Sequence, residues 1–568
     1  MNRLISSKYG WIILLLILVL VNILAASLHF RFDLTAENRY TLSAPTKKLL
    51  RNLNEPVKIQ VLLDGDLPAG FKKLRNSTQE MLSEFKENGK QNLHFVFSKP
   101  GEGLSDSLKA QLLDSLTRLG IQPMNIKAQA KEGEGEDQRL LYPAALVTYK
   151  DRTLPVDLLA GQSSMLDESS INRAEATLEY KLASTIRKIT QDSIPLIGYL
   201  IGNGEPLSYN VYDLLENTLR KNYAFRILNI DSVAAVPPLF GAIIITKPSV
   251  SFKDEQKLKI DQYIMHGGKV IWMIDNLYAE MDSLQRSQNE FIAFDRGLNI
   301  EDQLFKYGVR INLDLLQDLN CDGIPSVIGT VGGKPQMGIV PWPYFPLLGA
   351  SSDHPVVKNL DYVVSQFPNT IDTVKANGIN KTILLSSSGD ARILTTPAKV
   401  SWNSVQNEED KKTFTKHNVP VAVLLEGKFS SLFANRVSQA QKDSFAAYNL
   451  PFLPANEGDN KMIVIADGDI ALNAVTQKDG PLPMGMNMYT RYQYANKEFI
   501  MNCIEYMTDN SGILETRGKD FTLRLLDKKK VEEEKAKWQV INMAIPVLMV
   551  LLFGLLYQYL RKRKYQGT

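Results

Sequence analysis

Ile194 to Ile201 reads IPLIGYLI, an unbroken apolar run, and Gly202-Asn203-Gly204-Glu205 ends it with a turn. Two similar runs follow, GAIIIT at Gly241–Thr246 and VIWMI at Val270–Ile274. Strands without polar alternation are buried on both faces, as in a parallel sheet covered by helices. Helical stretches at Tyr209–Asn222 and Lys253–His266 alternate with them, and Phe225–Ile230 reads as one more strand. Ser251 with Asp254 reads as a capping box opening the second helix, and Gly267-Gly268 stops it. From Asn276 to Asp459 the pattern loosens. Val327–Pro346, rich in Gly and Pro, reads as loop or β-hairpin, while Thr382–Ser387 and Val419–Leu425 read as strands. KMIVI at Lys461–Ile465 and a helix at Asn496–Met507 complete the pattern. The expected body is therefore an α/β domain over residues 194–510 with β-rich insertions.

Working outward, the N-terminal side carries strands at Val57–Leu62 and Leu93–Phe97, helices at Phe71–Asn88 and Ser105–Leu119, and a hairpin at Leu140–Tyr149 and Thr153–Leu158. The order β-α-β-α-β-β, with a short strand at Ile126–Ala128, predicts a thioredoxin-like α/β domain over 31–165. No CxxC is present, so the redox chemistry of that fold is absent. Ser170–Thr190 reads as an amphipathic connector helix within 166–193.

Two uncharged apolar runs bracket the chain, Trp11–Phe30 and Trp538–Leu560. Each matches the ~20 residues that a membrane-crossing helix needs. A cleaved signal peptide is the rival for the first, with small residues at Ala25, Ala26 and Ser27; its length favours a retained anchor. Arg3 and Lys8 precede the first run, and Arg561, Lys562, Arg563 and Lys564 follow the second. The positive-inside rule then places both tails, 1–10 and 561–568, in the cytoplasm and the body in the periplasm. Residues 511–537 read as a membrane-proximal stalk. Asn22 and Asn542, polar exceptions in the spans, are candidates for helix–helix contacts, and Pro546 for a local kink.

The residues exclude several chemistries. A net charge of +3 over 568 residues gives no nucleic-acid footprint. The nearest approach to a P-loop, GTVGGKP at Gly329–Pro335, is one residue short and has proline where a hydroxyl must hold magnesium. Neither Cys321 nor Cys503 sits on a nucleophile elbow, and Ser386–Ser388 lacks the leading glycine. The histidines, His29, His94, His266, His354 and His417, are scattered, so neither a zinc site nor any cofactor is expected. Gly202, Asn203, Gly204 and Glu205 are the candidates for ligand contact, because open α/β sheets bind ligands at the carboxyl ends of strands; the alternative is that the glycines only make a tight turn. Asp467-Gly468-Asp469 reads as a solvated turn. Its alternative is a carboxylate pair for envelope glycan hydrolysis, which needs both carboxyls flanking a sugar.

Five stretches carry a family likeness: RFDLTAENRYTLS (31–43), LLDGDLPAGFKKLRNSTQEMLSEF (62–85), GNGE (202–205), HGGKVIWMIDN (266–276) and ILETRGKDFTLRLLD (513–527). Through them the chain resembles the gliding-motility-associated ABC transporter substrate-binding proteins, the G component of the Gld system of Bacteroidota. The resemblance covers the chain from end to end. It implies a glutamine-amidotransferase-like central domain without its nucleophilic cysteine. It also implies a non-catalytic accessory subunit in the inner membrane, partnered by a multi-span permease, a cytoplasmic ATPase and other gliding or secretion components.

Overall fold

The computed structural model describes residues 41–121, 123–128, 137–159, 168–191, 193–287, 290–402, 408–518 and 528–565, with a few positions between 15 and 22. Residues up to Asp520 form one compact unit, and Phe521–Thr568 form a second. The first apolar run, 11–30, lies almost wholly outside the described residues. So do the Lys131–Gly135 loop and most of the turn-rich lead, 31–43.

In the first unit, β1 (Val57–Val61), α1 (Ala69–Gly89), β2 (Leu93–Phe97), β3 (Ala144–Tyr149) and β4 (Arg152–Asp157) build a four-stranded sheet in the order β2-β1-β3-β4. β1 pairs β2 in parallel and β3 antiparallel. Phe71, Leu74, Thr78, Met81, Leu82 and Phe85 recur at helical spacing and give α1 its buried stripe. A separate hairpin pairs Met124–Ala128 with Asp137–Leu141, so the second of these strands begins earlier than the sequence pattern suggests.

α2 (Glu168–Thr190) leads to the larger sheet. Its parallel part comprises β5 (Leu196–Ile201), β6 (Ala224–Asn229), β7 (Ala242–Thr246), β8 (Val270–Met273) and, much later, the strand Asn460–Ile465. Their spatial order is second, first, third, fourth, fifth, all parallel, so the chain reverses direction across the sheet between β5 and β7. The remaining strands add antiparallel to one side. They are β9 (Cys321–Val331), β10 (Lys334–Ala350), β11 (Ile379–Ser386) and β12 (Pro420–Gly427), which pairs with β13 (Asn460–Ile465). Val327–Pro346 thus lies in a hairpin, with Gly332-Gly333 in left-handed conformation at its tip. The single parallel sheet expected from the apolar runs is mixed, because insertions supplied five more strands to its open side, these four and the short strand Val363–Val364 antiparallel to β10. A continuous core from Leu42 to Leu514 passes through both α/β regions.

Two local readings change. The helix α3 (Asp254–Met265) begins after Lys253, whose N–H is capped by Gln256 Oε1 at 2.8 Å; Ser251 is not the cap. The stretch Tyr209–Asn222 is not a regular α-helix: Asp213–Leu219 is π-helical, with Thr218 Oγ1 donating to the Asp213 carbonyl. Both cysteines are free. α4 (Asn496–Thr508) and a 3-10 helix at Ile513–Gly518 end the first unit, and α5 (Lys528–Tyr565) lies in the second. Within α5, Lys537–Arg563 is apolar and long enough to cross a membrane, with mean hydropathy 2.3. Pro546 lies inside it and Asn542 is exposed on it. Asn22 Nδ2 donates to its own helix, to Leu18 O at 3.0 Å.

Candidate functional site at the carboxyl edge of the parallel sheet

The turn after β5 lies at the point where the sheet order reverses, where open α/β folds leave a crevice. Here the crevice is occupied by the chain itself. The Asn203 carbonyl accepts from Ser249 N–H and Val250 N–H, at 2.8 and 2.9 Å. Glu205 Oε2 accepts from Asn203 N–H at 2.8 Å, and Asn203 Nδ2 donates to Gln256 Oε1 at 2.9 Å. Gly204 has φ +79°, and a Cβ there would stand 2.2 Å from Ser249 Oγ, so only glycine permits this close approach. Asn203 and Glu205 are buried, and burial pushes the Glu205 carboxyl above its usual range. Among the described residues, two oxygens in this turn, Asn203 Oδ1 and Glu205 Oε1, have no hydrogen-bond partner. Both await a donor.

Beside this turn lies a second group, of which the sequence reading singled out only Asp467-Gly468-Asp469, as a solvated turn. Lys247 follows β7, Asp275 follows β8 by two residues, and Asp467 follows β13 by two. Strand register therefore delivers all three to one edge. Asp467 is fully buried, which corrects the solvated-turn expectation. One of its oxygens accepts from Ser365 Oγ and from Gln366 N–H (2.9 Å), the other from Asp469 N–H (2.7 Å). Asp275 Oδ1 accepts from Gly468 N–H. A Cβ on Gly468 would lie 2.6 Å from Lys247 Cβ, so the two loops approach backbone to backbone.

The Lys247 ammonium stands among the carboxylates, 2.6 Å from Asp469 Oδ1 and 3.3 Å from Asp275 Oδ2. Arg296 closes the far side, 2.7 Å from Glu280 and 3.8 Å from Asp275, with its guanidinium 4.4 Å from the Tyr278 ring centroid. Burial pushes Asp467 well up, reinforced by the Asp469 and Asp275 charges. Burial also raises Asp469, to about 6, although Lys247 pulls it back. For Lys247 burial acts the other way, but Asp469 and Asp275 together outweigh it and hold the ammonium protonated.

Oxygens of Asp275, Asp467 and Asp469 lie within 4.8 Å of one another, a set that could hold a divalent cation. Lys247 already supplies a positive charge there. A lysine held protonated is neither nucleophile nor base. Nor does the geometry present Asp467 and Asp469 as a pair flanking a sugar, since Asp467 has no exposed surface and both its oxygens are engaged. Of the residues singled out by sequence, the structure brings together Gly202–Glu205 at one end of this edge and Asp467–Asp469 at the other. Lys247, Asp275, Glu280 and Arg296 were missed. A charge one or two residues beyond an apolar strand was the signal available for the first two.

Comparison with known families and structures gives the following. A family model described as an ABC-type uncharacterized transport system matches residues 195–503, and a domain of unknown function (DUF7088) matches 36–148. No curated protein matches the chain. Among solved structures, the mmIFT52 N-terminal domain is 12% identical, with 56% of this chain and 98% of that one covered and a TM-score of 0.30. The exo-beta-1,4-mannosidase Op5Man5 from Opitutaceae bacterium strain TAV5 is 9% identical, with 70% and 45% covered and a TM-score of 0.18. Neither TM-score reaches the level of a shared fold. The transport-system model spans more than half of the chain and contains the whole carboxyl edge described above, and the chain belongs to that family of auxiliary components of ABC-type transport systems.

Proposed function

We propose that this protein is a non-catalytic auxiliary subunit of an inner-membrane ABC transporter, working with a multi-span permease and a cytoplasmic ATPase. The observation that carries the non-catalytic reading is the occupied carboxyl edge. The switch-point crevice is hydrogen-bonded shut, and the neighbouring charge cluster is centred on a protonated Lys247. The apolar stretch Lys537–Arg563 supports attachment to the bilayer.

The finer parts of this reading are a two-pass chain with both termini cytoplasmic, a periplasmic body made of thioredoxin-like and amidotransferase-like domains, and a role in gliding motility. They draw on the flanking charges and on the sequence likeness described above. This reading also keeps a small-ligand contact at Gly202–Glu205, which draws on the place of this turn at the carboxyl edge of the sheet. The test is purification of the full chain from its native membrane in mild detergent. Recovery with a polytopic permease and an ATPase is expected; recovery of the chain alone sinks the proposal.

A further inference from the structure

The body begins and ends on the same turn of α2. At its start Leu42 is buried, and Ser43 N–H donates to Glu179 Oε1 of α2 at 2.8 Å. Ser43 then caps the helix Ala44–Arg51. At its end the 3-10 helix Ile513–Gly518 buries Ile513, Leu514, Thr516 and Arg517. The Arg517 guanidinium lies 5.0 Å from the ring centroid of Tyr180, which follows Glu179 on α2. The two terminal elements also meet each other, since a Cβ on Gly512 would stand 3.5 Å from Pro45 Cγ. Tertiary packing thus brings the entrance and the exit of the body to one spot.

Both ends lead to apolar chain over short distances. Residues 31–41 join the first apolar run to Leu42, and fully extended they span at most about 40 Å. Residues 519–527 separate the 3-10 helix from α5 and span at most about 30 Å; helical Lys528–Lys537 adds about 14 Å before the apolar stretch begins. Two leashes of similar reach therefore leave from one place, and that place is held closest to a bilayer that contains both runs. Its surface is basic. On the helix Ala44–Arg51, Lys48 and Arg51 are exposed and Lys47 is half-buried, while Leu50 points inward. Among the described residues none of these three cations has an acidic partner. Against them the 3-10 helix exposes one carboxylate, Glu515. Unpaired lysine and arginine beside a membrane are attracted by anionic lipid headgroups. An acidic protein surface would offer similar charge, but the leashes end in apolar chain suited to a bilayer.

We propose that the face formed by the helix Ala44–Arg51 and the 3-10 helix Ile513–Gly518 is the membrane-facing surface of the body, with Lys47, Lys48 and Arg51 against the phosphate groups of the lipids. The inference rests on the two-pass reading above and gives that reading a face. The test uses the full chain with Cys321→Ser, carrying a nitroxide at Asn52→Cys or, as reference, at Lys334→Cys on the tip of the β9–β10 hairpin. The chain is reconstituted in vesicles of phosphatidylethanolamine and phosphatidylglycerol doped with a nickel-chelating lipid. Relaxation of the nitroxide by headgroup nickel is expected to be strong at residue 52 and weak at residue 334. The enhancement at 52 should be lost in the triple variant Lys47→Gln, Lys48→Gln, Arg51→Gln, because each basic residue near an anionic surface strengthens adhesion about fivefold. Thermal unfolding of that variant should be nearly unchanged, since the three side chains have no partner to lose. The same loss is expected in the unsubstituted chain at about 1 M salt, where the screening length falls to about 3 Å. Equal relaxation at 52 and 334 in a chain of intact mass overturns the face and leaves the two-pass reading standing. Enhancement at 52 that survives both the triple variant and high salt overturns the phosphate contact. A mass lacking the first apolar run removes the two-pass reading, whatever the relaxation.

Discussion

Lys247 and Gly468 illustrate how single residues set the character of the carboxyl edge. Removing the ammonium in Lys247→Met leaves Asp469 facing Asp275 with only Arg296, 3.8 Å from Asp275, in compensation. Breaking one partner of a buried pair costs about 3–5 kcal/mol, so chemical denaturation of the full chain in detergent should show a loss of that order. Gly468→Ala should also destabilise, by about 1–3 kcal/mol, because its Cβ would meet the Lys247 backbone, with Lys247 Cα only 2.9 Å away. The Asp469 carboxyl has its own signature in pH. Its folded value, pushed up to about 6, lies above the ordinary aspartate value of about 3.9. The folded state therefore holds the proton more tightly, and this contribution to stability is fully present below about pH 4 and lost as pH rises through about 6. Unfolding free energies measured across that window should lose this component in Asp469→Asn. An unchanged pH profile would count against the burial argument. None of these contacts was legible along the chain. The tripeptide Asp467-Gly468-Asp469 looks like a solvated turn until β7 and β8 bring Lys247 and Asp275 beside it.

Among the elements, α2 and α4 hold the two α/β regions together. Glu505 on α4 accepts from Tyr180 and Ser184 of α2, each at 3.0 Å, and lies 3.3 Å from Lys188. Arg517, fully buried, donates to Asn502 at 2.8 Å and Glu498 at 2.9 Å and lies 5.0 Å from the Tyr180 ring centroid. Glu505→Ala strands two hydroxyls and an ammonium, so it should cost about 2–4 kcal/mol. Hydrogen exchange should then show α2 opening ahead of β5–β8. If exchange in α2 is unaffected, this joint is not what secures the helix. Helix existence and the apolar strands were readable because their periods are local. The π-helical turn and the Lys253 start of α3 were not, since tertiary contacts decided them: Asn473 Oδ1 receives the Asp213 N–H, and Gln256 serves Asn203, Lys253 and Asp231 together.

For the whole molecule the question is how the body is retained at the membrane. The two-pass proposal expects a chain truncated before Lys528 to stay in the membrane fraction through its first apolar run. Release into the soluble fraction would leave α5 as the sole anchor and remove the two-tether arrangement. Replacing Asn22 and Asn542 with Leu asks whether the spans also recognise a partner. Unchanged permease recovery would make them tethers only. Composition and hydropathy were sufficient to expect an α/β body, an apolar C-terminal helix and no P-loop or nucleophile elbow, because those depend on residue type and short spacing. Only the tertiary structure decided that five antiparallel strands extend the parallel sheet, that its switch-point crevice is closed by Asn203, Ser249 and Val250, and that distant charges converge on Lys247. The physical reason is the same each time: strand register and hydrogen bonds join residues tens to hundreds of positions apart, and no local pattern records those partners.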